Sequence, residues 1–539
     1  MVIYLGFDSS TQGLTAIAIL IDGSRRSVLF ERSIDYDTAL PQYGTRHGVL
    51  PDADALVACA PPLMWAEALD RMMADIAGSG IDLADIRAIS GSAQQHGTVY
   101  LARGAGDRLA RLDPTRPLVE ELRDVFSRNA SPIWMDSSTG AECAAITDAL
   151  GGPQALAQLT GSRAFERFAG PQIRKFSRVA GGQYANTERI HLVSSFLASL
   201  LAGRHAPIDP GDGSGMNLMD IAARTWAPSA VAATAPDLAP KLPPVRESWT
   251  IAGPLAPYWT RRYGFPPAQV VIWSGDNPSS LIGVGLIKEG RVAISLGTSD
   301  TLFGYMSAPD ADPSGAGHVF GSPTGAYMGI TVFKNGSLAR ERIRDDYGLD
   351  WTAFSAALRE TRPGNGGAIM LPWFAPEITP PVMSPGIRRY GLDPADPAAN
   401  VRAVVESQML GMAAHSRWMG TTIDTIHATG GAAVNRDILV VMADVFGADV
   451  YQLGVRNSAA LGAALRAFHA DLASHGSPLS WDDVIRGFVE PTAATVVHPR
   501  PEHHAMYAEV AKVRAACEAH ALGKGPDPLP LIAAFGGKS

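Results

Sequence analysis

The sequence predicts an α/β protein of two domains raised on a common plan. Three observations point there. At 539 residues the chain is too long for one hydrophobic core. Short β-branched runs alternate with helical periods through its first half. The layout of the opening, "YLGFDSSTQGLTAIAILIDG", is an apolar strand, a polar glycine turn and a second apolar strand. It returns far downstream as "VAISLGTSDTLFGYM", Val292 to Met306.

Taken in order, the apolar run Val2 to Phe7 meets Asp8, a turn follows, and Leu14 to Ile21 forms the return strand of a hairpin. "DIRAISGSAQQHGTVYL" reads as strand, loop and strand, with the loop over Gly91 to Gly97. "TERIHLVSSFLASLLAG" predicts a helix, with Thr187 as cap and Gly203 as stop. "AQVVIWSGDNPSSLIGVGLI" predicts a strand over Val270 to Trp273, a sharp polar turn, and a helix from about Pro278. Proline suits that first turn because its missing N–H has no partner to lose. "IHATGGAAVNRDILVVMADVFGADVYQL" runs strand, Gly430–Gly431 junction, helix, strand. "SAPDADPSGAG" and "PPVMSPG" are loops, and "PDPLPLIAAFGGKS" shows no period and is expected to be a tail.

Composition narrows the class. The chain is 46% hydrophobic and 18% charged, and its net charge of −8 excludes a general nucleic-acid binder, which needs a basic face. Cys59, Cys143 and Cys517 are far apart and make neither a disulfide framework nor a zinc site, as in a reducing compartment. No basic lead precedes the first apolar run and Asp8 interrupts it, so no secretory leader is expected. No window reaches the roughly 18 apolar residues of a membrane span. A cytoplasmic globular protein is the expectation.

The turns carry the chemistry. Backbone N–H groups of a glycine-containing turn can converge on an anion. Gly13 and Gly297 permit that geometry, while Thr11, Thr298 and Ser299 add hydroxyls. The helix after Gly430–Gly431 offers its N-terminus to the same kind of ligand. At the facing edges of two domains these three turns would line one cleft. The common nucleotide signatures are missing: the terminal "GGKS" lacks its upstream glycine and following helix, and no G-x-G-x-x-G joins a strand to a helix. "DPGDGSG" lacks the spacing of a calcium loop and reads as a tight turn. In "GDNP", Asp276 and Asn277 lie at a strand end; each also reads as a helix cap. With Asp8 at another strand end, two carboxylates facing one cleft suit phosphoryl transfer. One holds hydrated magnesium, and the other accepts a proton from the attacking hydroxyl.

On "GFDSSTQG", "GSAQQHG", "LTGSRAFERFAGPQIRK", "PIDPGDGSGMNLMDI", "SGDNPSSLIG", "ISLGTSDTLF", "FKNGSL" and "ATGGAAVNRDIL", in that order, the chain resembles the FGGY carbohydrate kinases, of actin/Hsp70/hexokinase-like fold. Within them it most resembles the xylulokinase branch, in its longer eukaryotic form. The resemblance implies two ribonuclease H-like domains flanking a deep cleft: a sugar-binding domain over 1–285, a nucleotide-binding domain over 286–500, and a helix and tail over 501–539. It implies ATP and Mg²⁺ as cofactors, with Asp8 and Asp276 at the metal and Thr11 and Gln12 in the adjoining loop. Asp276 would be the catalytic base; His96, Arg167 and Asn277 would contact the sugar, with Arg163 a further candidate. Gly297 and Thr298 match the second phosphate loop, Gly430, Gly431 and Asn435 the adenosine segment, and Trp351 a wall of that pocket. From composition alone His96 also reads as a structural histidine and Arg167 as a solvated helix charge. The implied activity is phosphorylation of the terminal primary hydroxyl of a pentulose, D-xylulose foremost, in a protein compatible with a homodimer. The rivals are a family member acting on ribulose, a deoxy sugar or glycerol, a non-kinase ATPase of actin or Hsp70 type, and a binding-only paralogue.

Overall fold

The computed structural model describes residues 1–454, 457–489 and 496–536. The first hairpin forms as expected. Strands β1 (Val2–Ser9), β2 (Gly13–Asp22) and β3 (Arg25–Asp35) make an antiparallel meander. Ile3 to Phe7 are buried without interruption, as in a strand covered on both faces, whereas β3 is largely exposed at the sheet edge. Helix α1 (Pro62–Ala77) lays Trp65, Leu69, Met72, Met73 and Ile76 against the meander at helical spacing. The chain then enters β4 (Ile86–Ala93), parallel to β1.

The segment from Thr187 is not one helix. β5 (Thr98–Ala102) pairs antiparallel with β6 (Thr187–Leu192), and only Val193–Ala202 is helical, as α2. Every residue of α2 is buried, its three serines included, so no exposed polar face gives it a period to separate it from the strand before it. Gly203, at φ 64°, does end it in the left-handed conformation that glycine favours. β7 (Ile251–Pro254), β8 (Gln269–Val271) and β9 (Ser274–Gly275) complete the first sheet, in the order β7-β8-β4-β1-β2-β3 with β9 also on β4. Helix α3 follows at once, over Asp276–Gly283, two residues ahead of the expected start.

The second sheet repeats the plan. β10 (Arg291–Leu296), β11 (Asp300–Met306), β12 (His318–Gly321) and β13 (Tyr327–Phe333) are antiparallel, and β14 (Thr425–Thr429) and β15 (Asp449–Gln452) add parallel strands beside β10. The order is β12-β13-β11-β10-β14-β15. Each sheet therefore opens on an antiparallel hairpin, β1–β2 or β10–β11, with a parallel strand, β4 or β14, on the other side of its first strand. Helices α4 (Ser337–Asp346), α5 (Trp351–Glu360), α6 (Pro397–His415) and α7 (Arg436–Phe446) share this sheet's core.

The next helix, α8 (Ser458–Ser474), follows the second sheet in sequence but packs on the first. Ala460, Leu461, Ala464, Leu465 and Phe468 join Tyr4, Ile17, Ile19, Ala88 and Ile282 in one cluster. The approach is backbone to backbone. A Cβ on Gly6 would lie 2.1 Å from the Ala460 carbonyl, one on Gly462 1.9 Å from that of Ser279, and one on Gly283 1.9 Å from that of Ser458. α9 (Pro501–Ala521) covers the second sheet's helices. The expected tail holds a further helix, α10 (Leu529–Gly536), whose Phe535 packs on Gly367; with eight residues and Leu529 and Leu531 exposed, it shows no period. Residues 537–539, most of the terminal "GGKS", lie outside the described residues. Among the described residues no helix is long and apolar enough to cross a membrane.

Because Gly462 meets a carbonyl that cannot swing aside, Gly462→Ala should cost about 3 kcal/mol, the upper end of ordinary overpacking, read as a shift of the urea midpoint.

Candidate active site

The register of β4 brings two carboxylates to one sheet end. On one side Ser92 pairs with Asp8, on the other with Ser274, and Asp276 stands two residues beyond. Gly275 occupies the cap position of α3, so Asp276 is the first helical residue and not the cap. Its Oδ1 accepts from the backbone N–H of Asn277 (2.8 Å) and from Asn277 Nδ2 (3.1 Å), and Asn277 Nδ2 also donates to Gln95 Oε1 (2.9 Å). A Cβ at Gly275 would meet Gln95 Cγ at 2.4 Å, which is why glycine precedes the acid. Burial, and then the charge of Asp8, push the Asp276 carboxyl up to about 7. Asp8 accepts from Ser92 Oγ at 2.7 Å; burial raises it and that bond works against the rise.

Asp276 and Asn277 border a cavity of about 810 Å³ with Gln95, His96, Arg167 and His318. His96, at φ 72°, donates from Nδ1 to the Gly215 carbonyl (2.9 Å) and stacks on Phe168 with centroids 4.3 Å apart. Burial, then the Arg167 charge, lower it to about 3, so the ring is neutral with Nε2 left as acceptor. The Arg167 guanidinium lies 4.9 Å from the centre of Phe165 and 5.7 Å from that of Phe168, and donates to His318 Nε2 at 3.3 Å. His318, on β12, then donates from Nδ1 to Ser162 Oγ (3.0 Å), held neutral by burial and by Arg167. Arg167 precedes its helix and is no solvated helix charge. Arg163, over Phe165 at 4.8 Å, borders the same cavity. One wall thus comes from each sheet.

A second cavity, about 870 Å³, is bordered by Gly297, Thr298, Ser337, Trp351, Gly431 and Asn435. The turn at 297–299 lies between the two, because Thr298 faces this cavity and Ser299 the first. It is braced from beneath. The Ser337 N–H donates to the Gly297 carbonyl (2.8 Å), and Arg340 forks onto Asp300 at 2.7 and 3.0 Å, both fully buried. Gly430, at φ 86°, would drive a Cβ to 2.6 Å from the Leu296 carbonyl, so β14 can leave beside β10 only through glycine. The open helix N-terminus expected after Gly430–Gly431 is not there. A 3₁₀ turn over Gly431–Val434 intervenes, and Asn435 Oδ1 accepts from Asp437 and Ile438, satisfying the first donors of α7. Asn435 Nδ2 donates to Ser355 Oγ (2.8 Å), and Trp351 stands 40% exposed at the cavity wall.

The 297–299 turn thus borders both cavities, and the Gly430–Gly431 junction, through Gly431, the second. Among the described residues bordering them, Asp8, Thr11, Gln12 and Gly430 are absent. Trp134, which borders the first cavity, donates from Nε1 to Thr11 Oγ1 at 2.8 Å. No group of three or more metal-ligating side chains occurs among the described residues.

Residues 129–283 match the N-terminal domain of the FGGY family of carbohydrate kinases, and residues 292–470 match its C-terminal domain. The chain belongs to that family. It is 42% identical over 537 residues to a xylulose kinase of Rattus norvegicus, covering 97% of this chain and 98% of that protein. It is 42% identical over 516 residues to xylulose kinase 2 of Arabidopsis thaliana, 91% of each. Its fold, of the actin/hexokinase-like kind, superimposes on a crystal structure of xylulose kinase from Rhodospirillum rubrum with TM-score 0.79 at 18% identity, over 96% of this chain and 99% of that one. A ligand-bound xylulose kinase from Lactobacillus acidophilus gives 0.77 at 18%, over 97% and 99%.

The structure of this carbohydrate kinase also holds site residues that its sequence did not single out. His318 and Phe320 reach the first cavity from β12, a strand with no motif around it. "DPGDGSG" is a buried helical turn behind Asp276: the Gly211 carbonyl accepts from Gln95 Nε2 (3.3 Å), and Asp209 and Asp212 are fully buried. Asp212 is held well above the usual carboxylate range by burial and by its acidic neighbours Asp209 and Asp276.

Folded Asp276 holds its proton to about 7, against 3.8 for a free carboxyl, so ionising it opposes folding. The cost is absent below the lower value, grows between the two and is complete above the upper. Asp276→Asn should therefore raise stability of the ligand-free kinase by about 1–3 kcal/mol above pH 7, the gain closing as pH falls toward about 4 in melting scans.

Proposed function

We propose that this kinase transfers the γ-phosphoryl group of ATP to the terminal primary hydroxyl of a pentulose, D-xylulose foremost, with Asp276 as general base. The observation that carries the reading is a carboxylate with a proton affinity near neutrality, at the border of a polar cavity one turn away from a second cavity of nucleotide size. Xylulose kinases at 42% identity over nearly the whole chain support the sugar.

The sugar would occupy the first cavity. His96 Nε2 would accept from one hydroxyl, Arg167 and Asn277 would donate to others, and the Phe165 and Phe168 rings hold Arg167 in place. Losing one such partner leaves a buried polar group unpaired, about 1–3 kcal/mol, which is how the site would tell one pentulose from another. ATP would occupy the second cavity, its adenine side between Trp351, Gly431 and Asn435 and its phosphates at Gly297 and Thr298. We read residues 1–285 as the sugar-binding part, 286–500 as the nucleotide-binding part and 501–539 as an appended helix and tail.

The donor set also suits magnesium. Asp8 and Asp276 are like charges that strain one another, and a small hard cation takes one or two carboxylates with water and phosphate oxygens. Bound there, it would neutralise charge on the triphosphate. In the transfer the O–P bond to ADP breaks as the sugar oxygen bonds to phosphorus, and the hydroxyl proton passes to Asp276. Closing the two walls would exclude water, because a hydroxyl nucleophile must outcompete it.

Asp276→Asn should keep its sugar affinity in calorimetry while turnover falls about 10²–10⁴-fold, in an ADP-release assay across pentuloses, pentitols and glycerol. Near-normal turnover in that variant would remove Asp276 from the mechanism; preference for ribulose or glycerol would reassign the substrate. ADP release indifferent to every sugar would favour an ATPase switch.

A further inference from the structure

The Asp276 site contains a cation, Lys334, with no ion-pair partner among the described residues. Strand pairing sets Phe333 opposite Asp300 and Val332 opposite Thr301, so Lys334, the residue after β13, follows toward Ser299 of the turn between the two cavities, and both border the first cavity. Alternation along the strand sends Ile330, Val332 and Lys334 to one face, and all three border the first cavity with Asp276, Ser299 and Thr301.

The backbone here is locked. Glu377, itself buried, accepts from the N–H groups of Lys334 (2.6 Å), Asn335 (3.2 Å) and Ile378 (2.8 Å) and from Asn335 Nδ2 (2.8 Å). Gln408 Nε2 donates to the carbonyls of Asn335 (2.7 Å) and Gly336 (3.0 Å). Glu377 is thus spent on N–H donors, Asp300 is held by Arg340, and the Lys334 ammonium makes no ion pair among the described residues. The other cations of the cavity, Arg163 and Arg167, are committed to aromatic faces, and Arg167 also to His318.

We propose that Lys334 is a catalytic residue that contacts the phosphoryl group in transit, from its place beside the 297–299 turn. The inference rests on the phosphoryl-transfer reading above. A phosphoryl group passing between oxygens is stabilised by fixed positive charge aimed at its equatorial oxygens. Lys334 takes no proton and forms no bond; the hydroxyl proton goes to Asp276, and ADP leaves with the electron pair of the broken O–P bond. Its side chain is exposed, so the fold does not need its charge.

The test uses the full-length kinase as wild type, K334M and K334R, with D-xylulose and ATP. K334M should lose about 10²-fold in kcat with sugar KM changed less than about threefold and melting temperature unchanged. Inhibition by ADP with aluminium fluoride, which mimics the planar group in transit, should weaken by a similar factor, and K334R should recover at least about tenfold of the lost rate. K334M with kcat near that of wild type overturns the proposal, as does a rise in sugar KM with kcat kept, which would make Lys334 a ground-state sugar contact. If wild type phosphorylates no sugar of the panel, the underlying reading fails, and the role of Lys334 with it. An active wild type with an unaffected K334M removes Lys334 alone.

Discussion

Burial of the Asp276 carboxyl beside that of Asp8 is the constraint on which the site depends. Two carboxylates in a partly dry sheet end would separate if the chain allowed it. It does not, because Ser92 on β4 is paired to the strand of one on one side and to the approach of the other on the opposite side. Burial, and then the charge of Asp8, leaves Asp276 with a proton affinity near neutrality, where a carboxylate is a far better base than in water. The helix that could have screened the acid instead begins with it, after a glycine that lets Gln95 pass.

The second sheet solves a different problem with a buried ion pair. Arg340 and Asp300 have no exposure, and such a pair is a poor source of stability because desolvation offsets its attraction. Its geometry is the gain. Arg340 Nη1 also donates to Gln408 and Nη2 to Ser337, so one guanidinium ties together the 297–299 turn, the start of α4 and the long helix α6. The loop between the two cavities is thereby held from below, with its upper surface clear.

Much of this was legible in the chain. Both hairpins, the Gly430–Gly431 junction and the strand end at Asp276 were readable because turn chemistry and apolar runs are local signals. Two domains on one plan followed from the repeated layout, and both sheets have it. What failed was also local in origin: α2 is buried all round, so no period marked where β6 ends and the helix begins. Asn435 could be seen as a polar residue of a motif but not as the cap that closes α7, since a 3₁₀ turn has no sequence period of its own. His318 was out of reach for another reason. It gains meaning only when β12, from the second sheet, lies against Arg167, which belongs to the first half of the chain. A juxtaposition of that range has no expression in spacing.

The placement of α8 bears on how such a chain comes to be folded. Tyr4, Ile17 and Ile19 are translated near the beginning, yet the helix that covers them lies beyond residue 457. During synthesis the first sheet must wait, one apolar face uncovered, until residues 458–474 have left the ribosome. Cutting the gene between the sheets would make that exposure permanent in the leading fragment.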